Sequence, residues 1–214
     1  MIYVLIGALM AYLLGSIPTA VWWGKAFYDL DVREHGSGNP GATNTFRVLG
    51  KRAGMIVMLG DIVKGMIATS LAVPLMNLGF IPEANLVTFK LIFGVIAVTG
   101  HIFSIFLNFR GGKGVATLLG MMIAVNYEVA LICIAIFILT LLLSKYVSLA
   151  SIISALAFPS ILTFIPRFKT SEPLLIIFGF FLFIVIVWTH QKNIRRIADG
   201  EENKTYLIKK REND

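Results

Sequence analysis

The chain has 214 residues, of which 57% are hydrophobic and only 14% charged, with a formal net charge of +7 and a mean hydropathy of +0.82. Soluble domains carry roughly 45–50% apolar and about 25% charged residues, so a water-soluble globule is excluded and a polytopic membrane protein is indicated. The single cysteine, Cys133, sits in the apolar stretch ALICIAIFILTLLL, and His35, His101 and His190 lie far apart without HExxH or paired-ligand spacing. No disulfide framework, metal site or bound cofactor is therefore expected.

The first apolar run, 2–23, has no Lys or Arg before it and no A-x-A cleavage site after it, so it reads as a retained span rather than a signal peptide. A helical crossing takes roughly 20 apolar residues, and runs of about that length recur at 53–76, 86–107, 147–165 and 174–189. The stretch 115–144 is too long for one helix and is interrupted near Asn126-Tyr127-Glu128, which suggests two short spans, 115–126 and 129–144. The expected fold is all-α: a single membrane domain over 1–214 with seven transmembrane helices, Gly-rich loops on one side and a basic tail at 190–214. That side collects fifteen of the nineteen Lys and Arg residues, the others being Lys90, Arg167, Lys169 and, inside the second span, Lys64. The positive-inside rule makes it cytoplasmic and puts the N-terminus outside. One span over 115–144 would place the basic tail outside, against that bias. The net charge follows from topology and from attraction to anionic lipid, with no nucleic acid partner implied.

Three polar segments carry the chemistry. The first, DVREHGSGNPGATNTFRVLGKR at 31–52, holds four Gly and one Pro among short polar residues. Ser37, Asn39, Thr43 and Asn44 offer hydrogen bonds to phosphate oxygens, Gly36, Gly38 and Gly41 let backbone N–H groups approach, and Arg47 can add a bidentate contact. A plain capped turn, with Thr43 or Asn44 as N-cap, is the alternative, but a connector needs far fewer residues. The second segment is Arg110-Gly111-Gly112-Lys113-Gly114, two cations among three glycines just before a helix, where free N–H groups and the dipole favour an anion. It is not a Walker A loop, because Leu107 and Gly114 stand where that motif needs Gly and Ser or Thr. His101 lies about two turns earlier. The third segment spaces His190, Asn193 and Arg196 at intervals of three, with Glu202 following. Asp61 and Lys64, one turn apart inside a span, form either a closed ion pair or the lining of a polar cavity.

These segments resemble, over most of the chain, the bacterial acyl-phosphate-dependent glycerol-3-phosphate acyltransferases, the PlsY family. The resemblance is carried by GSIPTA at 15–20, GSGNPGATN at 36–44 followed by Arg47, the D-x-x-K-G at 61–65, GHIF with FRGGKGVAT, and H-x-x-N-I-x-R at 190–196. Two positions depart from it: Ser104 where the family commonly has Pro, and Gln191 where it often has Arg. The resemblance implies acyl transfer from acyl phosphate to the 1-hydroxyl of sn-glycerol 3-phosphate in the bacterial cytoplasmic membrane, the first acylation of phospholipid synthesis. Arg47, Lys113, His190 and Asn193 are then expected to be catalytic. Ser37, Gly38, Asn39, Gly41, Thr43, Asn44, His101, Gly111, Gly112, Gly114, Arg196 and Glu202 are expected to bind substrate.

The expected mechanism is direct attack by the glycerol hydroxyl. Cys133 is mid-membrane, no Ser stands in a nucleophile elbow, and no H-x-x-x-x-D pair is present. His190 and a substrate phosphate are alternative acceptors for the proton. The two phosphates and the bilayer are the partners required, and transient docking of a soluble acyl-phosphate-producing enzyme is compatible with the cytoplasmic loops. An anion transporter is the rival class, disfavoured by the missing internal repeat and the one-sided motifs. A lipid-binding scaffold leaves three clusters of small donors unexplained.

Overall fold

The structure, a computed structural model, describes residues 1–170 and 172–205; Lys209, Lys210 and Arg211 of the expected basic tail lie outside the described residues. Every regular element among the described residues is helical. Four helical stretches are long and apolar enough to cross a membrane, and two bent helix pairs raise the number to six. The seventh expected span corresponds to α6 (Val115–Val125), whose 11 residues cover about 16 Å against the ~30 Å of a hydrocarbon core. Large apolar side chains such as Leu5, Leu9, Leu59, Leu139 and Ile177 point outward, the arrangement suited to a lipid solvent.

The chain divides into two compact units, 1–127 and 128 onward. The first contains α1 (Ile2–Ser16), α2 (Thr19–Tyr28), α3 (Ala42–Ser70), α4 (Ala72–Asn77), α5 (Leu86–Ile102) and α6. Lipid supplies no hydrophobic force between helices, so close packing relies on small residues. On α1 and α5, a Cβ at Gly15 would lie 2.0 Å from the Ala97 carbonyl oxygen, and one at Gly100 would lie 2.4 Å from that of Tyr12. On α3 and α6, Gly65 and Gly120 meet the Thr117 and Ile62 carbonyl oxygens at 2.1 and 1.9 Å in the same sense. Each pair is thus locked reciprocally, and alanine at any of the four positions would push a backbone away.

Two breaks in these helices position the polar residues. Pro18 has no N–H to extend α1, and α2 leaves at 46°. Gly50 (φ 85°, ψ −176°) kinks α3, leaving a short polar helix over 42–49 before the membrane portion begins. The polar loop expected to run to 52 therefore ends at Gly41, which is the N-cap; no side chain caps this helix, and Thr45 Oγ1 instead donates to the Gly41 carbonyl at 3.1 Å. Ser104, where the resembled family commonly has proline, donates from Oγ to the Ser16 carbonyl at the end of α1.

The second unit holds all but the first residue of α7 (Tyr127–Ser144), then α8 (Val147–Phe164), α9 (Pro173–Thr189) and α10 (Gln191–Ala198). α9 and α10 meet at His190 with a bend of 61°. A turn at Gly200 (φ 75°) then reverses the chain, with the Glu201 and Glu202 N–H groups both donating to the Arg196 carbonyl.

Candidate active site

The first glycine-rich segment is shaped by one buried amide. Asn44 Oδ1 accepts from the Ser37 N–H (2.8 Å) and Ser37 Oγ (3.1 Å), while Nδ2 donates to the carbonyls of Val32 (2.7 Å) and His35 (3.0 Å). Both lone pairs and both N–H groups of the amide are thereby used, so Asn44 serves the loop rather than an incoming anion. Gly36 (φ 63°) and Gly38 (φ 71°) supply the left-handed turns. At Gly36 there is also no room for a side chain, since a Cβ would sit 2.4 Å from Asn44 Oδ1. What the fold leaves outward is Ser37, Gly38, Thr43 and Arg47, with Asn39 and Gly41 half-buried. Thr43 and Arg47 lie one turn apart on the short helix, and the Arg47 stem passes over Gly36.

Asp31 anchors the approach to this loop. It caps a 3-10 turn by accepting from the Arg33 N–H, takes the Arg33 guanidinium at 2.6 Å and meets Lys25 Nζ at 3.3 Å. The Arg33 guanidinium bond holds the Asp31 carboxyl well below the usual carboxylate range, against a smaller opposing effect of burial; Asp31 raises the Arg33 value in return.

The second segment is a backbone fold. Asn108 (φ 50°) and Phe109 (φ 61°) turn the chain back, and the Gly111 and Gly112 N–H groups donate to the Ile102 (2.8 Å) and His101 (3.1 Å) carbonyls at the end of α5. A Cβ at Gly111 would lie 1.9 Å from the His101 carbonyl oxygen. Gly114 (φ 78°) is the N-cap of α6, so half-buried Lys113 stands immediately before the first-turn N–H groups of that helix, which have no acceptor within it. His101 is buried beneath the loop, where a Cβ at Gly112 would lie 2.3 Å from its Nε2.

In the second unit the three residues spaced by three differ in exposure. His190 is buried at the α9–α10 junction, Asn193 is half-buried, and Arg196, like Gln191, is exposed. His190 Nδ1 lies 2.9 Å from the Ile186 carbonyl oxygen. A carbonyl only accepts, so Nδ1 carries the hydrogen and Nε2 is the basic nitrogen of the neutral ring. Glu202 Oε1 accepts from Asn193 Nδ2 (2.7 Å) and Ser148 Oγ (2.9 Å), while Oε2 is buried without a hydrogen-bond partner among the described residues. Ser148 is a member of this group that the sequence did not reveal, because it lies 54 residues from Glu202.

The family model for glycerol-3-phosphate acyltransferase matches residues 5–200. Relatives named glycerol-3-phosphate acyltransferase include one from Chlorobium phaeobacteroides strain BS1, 41% identical over 91% of this chain and 93% of its own. Another, from Chlorobaculum tepidum, is 42% identical over the same shares. Two crystal structures of PlsY, described as an integral membrane glycerol 3-phosphate acyltransferase in lysophosphatidic acid and glycerol 3-phosphate forms, each superpose with a TM-score of 0.80 at 32% identity. They cover 94% and 95% of this chain and 95% and 96% of the solved chain.

Proposed function

The chain belongs to the glycerol-3-phosphate acyltransferase family, and from that membership we propose that it transfers a fatty acyl group from acyl phosphate to the 1-hydroxyl of sn-glycerol 3-phosphate. The glycerol oxygen attacks the acyl carbonyl carbon, the bond from that carbon to the phosphate oxygen breaks, and lysophosphatidic acid and inorganic phosphate leave. The hydroxyl proton passes to a base. An acyl phosphate is already activated, so no covalent enzyme intermediate is needed.

The observation that carries this reading is the pair of glycine-rich folds in the first unit, each with a cation: Arg47 over Gly36 and Lys113 before the opening turn of α6. Such folds suit phosphate oxygens through the outward Ser37 and Thr43 side chains, the first-turn N–H groups of α6 and charge together. Ser37, Gly38, Asn39, Gly41, Thr43, Gly111, Gly112 and Gly114 are assigned to binding and Arg47 and Lys113 to stabilising charge on the departing phosphate. His190 is assigned as the base through Nε2, with Asn193, Glu202 and Arg196 serving the glycerol phosphate. We also assign the protein to the bacterial inner membrane, N-terminus outside and loops cytoplasmic, where a soluble enzyme delivers the acyl phosphate.

The test follows lysophosphatidic acid formed by the purified protein in lipid from labelled glycerol 3-phosphate with either palmitoyl phosphate or palmitoyl-CoA. Product from the acyl phosphate alone supports the reading. Product only from the thioester overturns the donor, and no product from either returns the transporter reading.

A further inference from the structure

A buried polar group in the first unit is not used by this mechanism. Asp61 and Lys64, both almost wholly buried, pair at 2.8 Å across one turn of α3. Lys64 Nζ also donates to the Ile17 carbonyl at 2.7 Å, and Thr19 Oγ1 donates to Asp61 Oδ1 at 3.0 Å. The pair therefore clasps both sides of the α1–α2 break. The same Asp61 oxygen faces His101 Nδ1 at 3.8 Å, and the opposite edge of that ring, Nε2, abuts Gly112. His101 also supplies the carbonyl that holds the Gly112 N–H. The imidazole is thus the floor of the 110–114 loop, with one edge against glycine and the other against a carboxylate that Lys64 and Thr19 keep in place.

Resting on the function proposed above, we infer that Asp61, Lys64 and His101 are positioning residues that hold the 110–114 loop in its phosphate-receiving shape, His101 acting by contact and the ion pair acting through His101. A merely structural pair would change the amount of folded protein. A positioning group changes affinity for phosphate at constant fold, and a small displacement of a binding loop can cost about ten- to a hundredfold.

The experiment compares the purified wild type with H101A, D61N and the neutral pair D61N/K64M. The last avoids leaving a buried charge alone, which is strongly destabilising, and keeps the test open where D61N does not fold. Two readouts are taken on each: KM and kcat for glycerol 3-phosphate, and the thermal shift produced by inorganic phosphate. The second needs no turnover, so an inactive wild type that phosphate still stabilises refutes the acyltransferase reading without touching this one. The expected result is a KM raised about tenfold or more, a smaller change in kcat and a weakened phosphate shift in variants that keep the wild-type melting temperature. A size swap adds a second check: G112A should abolish the phosphate shift through its clash with the ring, and H101A/G112A should recover part of it. Unchanged KM and phosphate shift in the folded variants, or a double variant no better than G112A, overturns the inference.

Discussion

Replacing Asn44 with alanine tests whether the first glycine-rich segment is built by this buried amide. Four hydrogen bonds disappear together. The carbonyl of fully buried Val32 is left where water does not reach, at about 1–3 kcal/mol. The other three bonds end on exposed Ser37 and His35, where water replaces the amide, so each is worth only about 0.5 kcal/mol. The total is roughly 3 kcal/mol, and with tenfold per 1.4 kcal/mol the shaped loop becomes about a hundredfold less favoured against open forms. Hydrogen exchange in substrate-free protein reads this directly, because the Ser37 N–H is donated to Asn44 itself. Its exchange should quicken by about that factor, and KM for glycerol 3-phosphate should rise with it. Asn44→Asp should be no better: the carboxylate can still accept from Ser37, yet it turns an oxygen toward the Val32 and His35 carbonyls that need a donor. Unchanged exchange alongside lost activity in Asn44→Ala would refute the reasoning and make Asn44 a substrate contact.

Gly111→Ala places a Cβ 1.9 Å from the His101 carbonyl oxygen and 2.9 Å from that of Ile102; it should abolish phosphate-induced stabilisation while circular dichroism shows unchanged helix content. Ser148→Ala removes one of two donors from Glu202 Oε1 and should lower stability by about 1 kcal/mol, measured by thermal unfolding in detergent, with Asn193→Ala costing more activity because it also deletes the group assigned to substrate. Asp31 titrates in the folded chain below its unfolded value near 3.8. Its stabilisation is therefore complete above that value and lost as pH falls toward the lower folded one. Asp31→Asn should accordingly be less stable than wild type at neutral pH, and the two melting curves should converge in acid. Lys113→Ala and Arg47→Ala each remove the charge-assisted phosphate contact proposed for that residue, worth about 1.5–3 kcal/mol, so turnover assays should fall roughly ten- to a hundredfold for each.

The all-helical membrane fold was legible because lipid is a uniform apolar solvent, and long apolar runs answer to it whatever their partners. Helix ends were not legible in the same way. The helix over 42–49 is written ATNTFRVL, in which five consecutive or near-consecutive weaker helix formers, Thr43, Asn44, Thr45, Phe46 and Val48, lead pattern alone to a loop. It forms because Asn44 is engaged on one face by Val32, His35 and Ser37, contacts that no local propensity reports. The sequence identified Asn44 as a hydrogen-bonding residue in a phosphate-type loop, and the tertiary bonds decided which partner those hydrogen bonds serve. The same holds for His190, Asn193 and Arg196. An uninterrupted helix would carry them on one face; here the first is buried at the bend and the last is exposed.

Asp61 and Lys64 show the limit from the other direction. Their i, i+3 spacing announces an ion pair from the sequence alone, and the cost of charge at membrane depth says that the pair must be satisfied. What it satisfies depends on Pro18, forty-three positions earlier, which ends α1 and frees the Ile17 carbonyl for the Lys64 ammonium. It depends equally on the glycine at 112, whose missing side chain leaves room for the His101 ring against the loop while its other edge faces Asp61. A proline, an ion pair, an imidazole and a glycine are each ordinary residues in a membrane helix protein. Their joint effect is to tie the shape of a surface loop to a break in the first helix, so a substitution at the break that moves the Ile17 carbonyl should be felt at the 110–114 loop before it is felt in overall stability.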